Sequence, residues 1–148
     1  MLLELLKNKK KLSWSLFLIL LLVLIRVFED QLFYDPFLDY FKIEYSHLHF
    51  PKINIIKLFL SLGFRFYLNS VISLLLLYVI FSDKQIVKFS ALLYMILGSI
   101  LMISFIFVLT FFAEESKMTL FYIRRFLIQP IFILLFIPAF YYQKQVKK

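Results

Sequence analysis

Residues 89–113 read FSALLYMILGSILMISFIFVLTFFA, the longest stretch of the chain without a charged side chain. As an α-helix rising 1.5 Å per residue, this stretch would extend roughly 37 Å. The hydrocarbon core of a bilayer is about 30 Å thick. The stretch therefore predicts a membrane-spanning helix.

The composition of the whole chain supports the same conclusion. Of the 148 residues, 63% are hydrophobic and 20% are aromatic, and the mean hydropathy is +0.90. Soluble domains are about 45–50% apolar, and a chain this short cannot bury such an excess in its own interior. These values argue against a soluble enzyme, a nucleic-acid-binding protein and a disordered chain. The chain has no cysteine, which excludes a cysteine nucleophile and a thiolate metal site.

Three further apolar stretches extend this interpretation to an all-α integral membrane protein. The predicted spans are 12–28, 58–81, 89–113 and 120–142, and together they form a single membrane domain over residues 1–148. The basic start followed by an apolar run is also typical of a signal peptide. No small-residue cleavage site follows residue 28, so we expect an uncleaved first helix.

The segment between the first two predicted spans, residues 29–57, is aromatic but too polar to cross a membrane, and we call it the outer segment. Asp35-Pro36 is typical of a helix start, with the aspartate as cap and the proline at the first helical position. Phe37, Tyr40 and Phe41 would share one face of that helix. We expect a short helix at the extracytoplasmic membrane interface.

The lysines predict the orientation of the chain. With four spans, both termini lie on one side, which carries nine lysines against four on the other. Because positive residues favour the cytoplasmic side, both termini are expected there. If the four arginines are counted with the opposite side, the basic residues number nine on the side of the termini and eight on the other.

Nearly all ionisable and amide groups close to the apolar segments fall at one depth, in the predicted outer leaflet. We call this set the polar layer. Its ten members are Arg26, Glu29, Asp30, Arg65, Asn69, Glu114, Glu115, Arg124, Arg125 and Gln129.

Several spacings suggest that the polar layer forms a shared cluster. Ser61, Arg65, Asn69 and Ser73 recur every four residues and so lie on one helical face. An arginine buried in a bilayer costs at least about 2.5–3.5 kcal/mol unless it is paired. The carboxylates of Glu29, Asp30, Glu114 and Glu115 are therefore expected as partners.

The polar layer has three alternative interpretations. Charged residues at helix ends often anchor a protein at the interface. A second possibility is an Arg–Glu network that holds the helices together, and a third is an outward-facing site for an anionic group. No metal or cofactor is expected, although His47 and His49 in the outer segment have a spacing of two.

Three stretches together are distinctive: RVFEDQLFYDPFLDYF (Arg26–Phe41), RFYLNSVISLLLLY (Arg65–Tyr78) and LFYIRRFLIQPIFILLFIPAFYYQ (Leu120–Gln143). They resemble the exosortase F system-associated proteins, small bacterial membrane proteins encoded beside an exosortase-type membrane transpeptidase. The resemblance implies an accessory role beside an exosortase at the outer face of the inner membrane. Exosortases use a cysteine nucleophile, so no catalytic residue is carried over to this chain.

The sequence thus predicts a non-enzymatic accessory subunit of a protein-sorting system in the bacterial inner membrane. Its expected partners are membrane lipids and an exosortase-family protein, and no nucleic acid. One alternative is a protein that binds or transfers an anionic lipid or a lipid-linked glycan. The other is an intramembrane hydrolase or transferase that uses Glu114 or Glu115.

Overall fold

A computed structural model describes residues 8–42, 52–112 and 114–146, and within these ranges the chain is helical and contains no strand. Seven helices follow one another along the described ranges. They are α1 (Lys9–Val27), α2 (Glu29–Leu32), α3 (Phe37–Tyr40), α4 (Ile55–Phe81), α5 (Lys84–Phe111), α6 (Lys117–Ile128) and α7 (Ile131–Val146).

Helix α4 is the centre of the fold, because α1, α5, α6 and α7 all pack against it. Most of its buried side chains follow one another at spacings of three or four residues, which places them on one broad face. From the N-terminal end the buried residues are Leu58, Leu62, Arg65, Asn69, Ser70, Ser73, Leu76, Leu77 and Phe81. A polar band thus interrupts an otherwise apolar face.

Two helices, α4 and α5, are each long and apolar enough to cross a membrane. The α6–α7 pair meets the same criteria when its two members are counted as one span, which gives up to three spans among the described residues. Helix α1 falls outside these criteria because lysines occupy its first turn and Arg26 its last. The uncharged stretch from Leu12 to Ile25 is shorter than the roughly 20 residues that a span usually needs.

The predicted span 120–142 is not one straight helix. Helices α6 and α7 are bent by 61° with respect to each other. Gln129 at the break has an extended backbone, with φ −102° and ψ 140°. The following residue is Pro130, which lacks an N–H group and disfavours the helical conformation of the residue before it. The proline therefore accounts for the break.

The α4–α5 turn contacts both the first and the last helix. The Nζ of Lys11 in α1 donates to the Oγ of Ser82 at 2.6 Å, and the Nζ of Lys144 in α7 donates to the carbonyl oxygen of Phe81 at 2.9 Å. Lysines at the C-terminal end of a helix satisfy free carbonyls and complement the helix dipole. These contacts gather the beginning of α1, the end of α7 and the α4–α5 turn at one end of the molecule.

The short helix expected after Asp35-Pro36 is present as α3, but its aromatic face points into the protein. Phe37 is fully buried, and Tyr40 is 7% exposed. Both belong to a cluster of apolar side chains contributed by α4, α5 and α6, which includes Leu62, Phe105 and Leu127. Burial of large aromatic side chains is strongly stabilising. The described part of this segment around α3 is therefore held on the helices by an apolar contact.

The α4–α5 contact depends on a glycine and provides the first prediction. A Cβ atom at Gly98 would lie 2.3 Å from the ring of Phe66, whereas one at Gly63 would lie 3.5 Å from the methyl group of Met102. We expect Gly98→Ala to lower the free energy of unfolding by about 1–3 kcal/mol through overpacking. Gly63→Ala, the matched control, should be neutral or slightly stabilising because alanine favours the helix.

Thermal unfolding in a mild detergent measures this difference. Adding Phe66→Leu to the Gly98→Ala protein should restore part of the lost stability, because the smaller side chain can move away from the new methyl group. Equal melting temperatures for the two alanine variants would contradict this account of the contact.

Candidate functional site

The centre of the polar layer is an ion pair between two helices. The Nη2 atom of Arg65 in α4 donates to the Oε2 atom of Glu29, the first residue of α2. Arg26, at the end of α1, donates to the same oxygen atom. Arg65 is 1% exposed, whereas the Arg26 side chain is 48% exposed. One carboxylate therefore serves a buried and a half-exposed guanidinium.

The surroundings of Arg65 explain why this contact matters. The residue lies ten positions into α4, about 15 Å from the start of the helix. Its guanidinium carbon lies 5.3 Å from the centroid of the Phe33 ring, a distance at which a cation is attracted to the ring face. Its Nε and Nη1 atoms have no hydrogen-bond partner among the described residues. Glu29 is thus the carboxylate that compensates the buried charge.

A second buried ion pair joins Arg124 of α6 to Asp35, which the sequence analysis treated only as a helix cap. The Nε atom of Arg124 lies 3.1 Å from Oδ1 and 3.0 Å from Oδ2 of the carboxylate. Oδ1 also accepts from the backbone N–H of Phe37 at 3.2 Å. The residue that caps α3 is Pro36 rather than Asp35, so the helix begins one residue later than predicted. The Asp35 side chain is 3% exposed.

The sequence does not predict Asp35 as an ion-pair partner, because the Asp-Pro pattern already accounts for this residue as part of a helix start. The aromatic residues around it are the feature that indicates burial. An aspartate two positions before a buried aromatic side chain lies close to the protein interior. A buried carboxylate then needs a cation as its partner.

The two amide members of the polar layer have structural partners in or near the α6–α7 break. The Nδ2 atom of Asn69 donates to the carbonyl oxygen of Ile128 at 3.0 Å. Ile128 is the last residue of α6, so Asn69 supplies a donor at a helix end. The Nε atom of Arg125 donates to Oε1 of Gln129 at 3.2 Å, at an exposed position.

The remaining members of the polar layer lie at the surface. Asp30 is paired with Lys42 at 3.8 Å, and Lys42 also lies 3.5 Å from Asp39. Glu114 and Glu115 follow α5 and are exposed, and within the described ranges neither forms an ion pair. Of the four carboxylates expected as partners, Glu29 pairs with a buried arginine, whereas Glu114 and Glu115 do not. The other buried arginine pairs with Asp35, which was not among them. His47 and His49 lie outside the described residues.

Taken together, the contacts divide the polar layer into a buried and an exposed part. Arg65 and Arg124 are enclosed and paired, and Asn69 is enclosed beside them, whereas Arg26, Arg125 and Asp30 reach the surface. The buried part joins the outer segment to α4 and α6. It acts as a clamp on residues 29–40, assisted by the apolar contact of Phe37.

The second prediction concerns the two neighbouring acids, Glu29 and Asp30. Glu29→Gln leaves Arg65 buried without a counter-charge, and losing one partner of a buried pair costs about 3–5 kcal/mol. Asp30→Asn removes an acid that is 60% exposed, for which the loss should stay below about 1 kcal/mol. Thermal unfolding in detergent should therefore separate the two variants clearly.

A matched double substitution tests the cause of the difference. Arg65→Met combined with Glu29→Met removes both charges, and it should be less destabilising than Glu29→Gln alone. If Glu29→Gln melts at the same temperature as Asp30→Asn, the Arg65–Glu29 pair does not hold the outer segment.

The polar layer is thus a set of ion pairs that differ in exposure, and its two buried arginines, Arg65 and Arg124, are almost completely enclosed. The arrangement can fix the outer segment, and its exposed arginines can bind anionic groups. Comparison of the chain with protein-family models, curated proteins and solved structures found no match.

Proposed function

We propose that this protein is a non-enzymatic accessory subunit of an exosortase-type sorting system in the bacterial inner membrane. Its outer segment would serve as a docking surface for the sorting enzyme. The observation that carries the proposal is the double anchoring of this segment. Glu29 is held by α4 and Asp35 by α6, so ion pairs with two buried arginines anchor a short segment at two points. A preformed surface reduces the loss of conformational entropy on binding.

The sequence resemblance supports the same proposal. Its first stretch supplies Glu29 and Asp35, its second supplies Arg65 and Asn69, and its third supplies Arg124. These residues form the clamp that joins the three stretches. The residues that carry the resemblance are thus also the residues whose side chains meet.

The membrane topology in the proposal has four spans, with both termini in the cytoplasm. Helices α4 and α5 and the bent α6–α7 pair supply three of them. Helix α1 would supply the fourth, with Lys11 and Arg26 extending their charged ends to opposite interfaces. The contacts of Lys11 and Lys144 with the α4–α5 turn support a lysine-rich end opposite the outer segment.

This topology provides the third prediction, and the absence of cysteine makes it easy to test. A cysteine at Asp39, which is exposed, should react with a membrane-impermeant maleimide in intact spheroplasts. A cysteine at Gln145, near the end of α7, should react only after the membrane is permeabilised. Labelling of both positions in intact spheroplasts would contradict the four-span arrangement.

The exposed side of the outer segment is the surface proposed for the partner. Leu32, the last residue of α2, is 60% exposed, and Phe28 just before α2 is 45% exposed. Asp39 and the Asp30–Lys42 pair provide polar groups nearby. Apolar side chains surrounded by polar ones are typical of protein–protein contacts.

The two other functions considered from the sequence have less support. A hydrolase or transferase based on Glu114 or Glu115 would need these carboxylates in an enclosed site, whereas both are exposed. An anionic-lipid pocket formed by Arg65 would need that side chain to be accessible, whereas Arg65 is buried and paired with Glu29.

The fourth prediction tests the docking surface with two exposed aliphatic residues at opposite ends of the molecule. Leu32→Asp should reduce co-purification of the sorting enzyme from mild detergent by at least about tenfold, because it places a charge in the proposed contact. Val146→Asp, at a position that is 68% exposed, should leave co-purification unchanged. Membrane abundance of both variants is measured first, so that loss of the protein is not mistaken for loss of binding.

The same variants can be scored in a deletion strain by the surface anchoring of sorting substrates. Anchoring should be restored by the original chain and by Val146→Asp, but not by Leu32→Asp at equal abundance. If the original chain captures no sorting enzyme, with or without a membrane-permeant cross-linker, the accessory role is wrong.

A further inference from the structure

A groove of about 500 Å³ runs between α1 and α7, outside the clamp described above. Val23 and Val27 line its α1 side, Ile131 and Leu134 line its α7 side, and Leu76 of α4 also contributes to the lining. The 61° bend at Pro130 changes the direction of the chain at one end of this groove. The break between α6 and α7 thus adjoins one end of the groove.

The groove lining is aliphatic. Among the described residues no aromatic side chain contributes to it, although 20% of the residues in the chain are aromatic. Along α1 the lining extends from Ile19 to Val27, about 12 Å at 1.5 Å per residue. One leaflet of the hydrocarbon core is about 15 Å thick. The groove thus matches an acyl chain of one leaflet in both chemistry and length.

One end of the groove is polar, and the polar groups there that remain available to a ligand are hydrogen-bond donors. Arg26 and Gln129 line this end, and Arg125 is hydrogen-bonded to Gln129. That bond occupies the amide oxygen of Gln129, and the amide N–H groups have no partner among the described residues. Arg26 is half exposed and shares the single carboxylate of Glu29 with Arg65. The Arg26–Glu29–Arg65 group therefore keeps a net charge of +1.

We propose that this groove binds an anionic phospholipid, with one acyl chain between α1 and α7 and the phosphate at Arg26 and Gln129. Arginine suits a phosphate because its planar guanidinium can donate two parallel hydrogen bonds. The site requires the helices to lie in a membrane. It is independent of the accessory role, because none of its residues belongs to the surface proposed for the sorting enzyme.

Native mass spectrometry of the delipidated chain can test this site. The protein is incubated with equal amounts of phosphatidylglycerol and phosphatidylcholine that carry the same acyl chains, and the retained lipids are counted. The unmodified protein should retain phosphatidylglycerol in preference to phosphatidylcholine by about tenfold, the effect of one charge-assisted contact.

Two substitutions on α1 separate the groove from the general membrane surface. Val23→Trp places a large ring in the groove at a position that is 50% exposed, and it should reduce retention of both lipids. Leu24→Trp is the matched control, since Leu24 is the neighbouring residue, is also exposed and does not line the groove.

Arg26→Gln tests the phosphate contact. It should abolish the preference for phosphatidylglycerol while the groove still holds a lipid.

Several outcomes would overturn the proposal. Equal retention of the two lipids by the unmodified protein would remove the phosphate site. Equal retention by Val23→Trp and Leu24→Trp would place the lipid elsewhere. A dimer that Val23→Trp dissociates would show that a second copy of the chain fills the groove. Because the assay contains no sorting enzyme, each result is independent of the accessory role.

Discussion

The structure depends on the neutralisation of one buried guanidinium. Arg65 lies on α4, the helix against which α1, α5, α6 and α7 pack, and it is almost completely enclosed. An unpaired charge at such a position would be costly, and only a carboxylate that reaches the interior can compensate it. Glu29 supplies that carboxylate from the segment after α1. The position of the outer segment is thus coupled to the charge on the central helix.

The apolar and polar contacts of the outer segment support each other. Phe37 is enclosed by side chains of α4, α5 and α6, and this contact brings Asp35 within reach of Arg124. The same carboxylate accepts the N–H of Phe37 and so stabilises the start of α3. Burial of the ring without the ion pair would leave Asp35 uncompensated. Formation of the ion pair without burial would leave it exposed to water, where such pairs contribute little.

The break between α6 and α7 connects the clamp to the groove. Pro130 ends the regular hydrogen bonding of α6, and Asn69 donates to the carbonyl of Ile128 beside it. In lipid such a backbone group needs a partner within the protein. At the same break Gln129 is partly exposed, and a groove lies between α7 and α1. One proline therefore explains the kink, the role of Asn69 and one end of the proposed lipid site.

Composition and local periodicity determined the helical class, the apolar nature of α4 and α5, and the shared face of Arg65, Asn69 and Ser73. These properties depend on neighbouring residues alone, since a helix places residues four apart on one side whatever surrounds it. Only the tertiary structure decided which carboxylates meet the arginines. Arg65 and Glu29 are 36 positions apart, and Arg124 and Asp35 are 89 apart. Such pairs depend on the rotation of packed helices and on the folding back of residues 29–40, for which the sequence has no periodic signal. The acids adjoining the spans, Glu114 and Glu115, were reasonable partners by position, but the burial of Phe37 brought Asp35 to Arg124 instead.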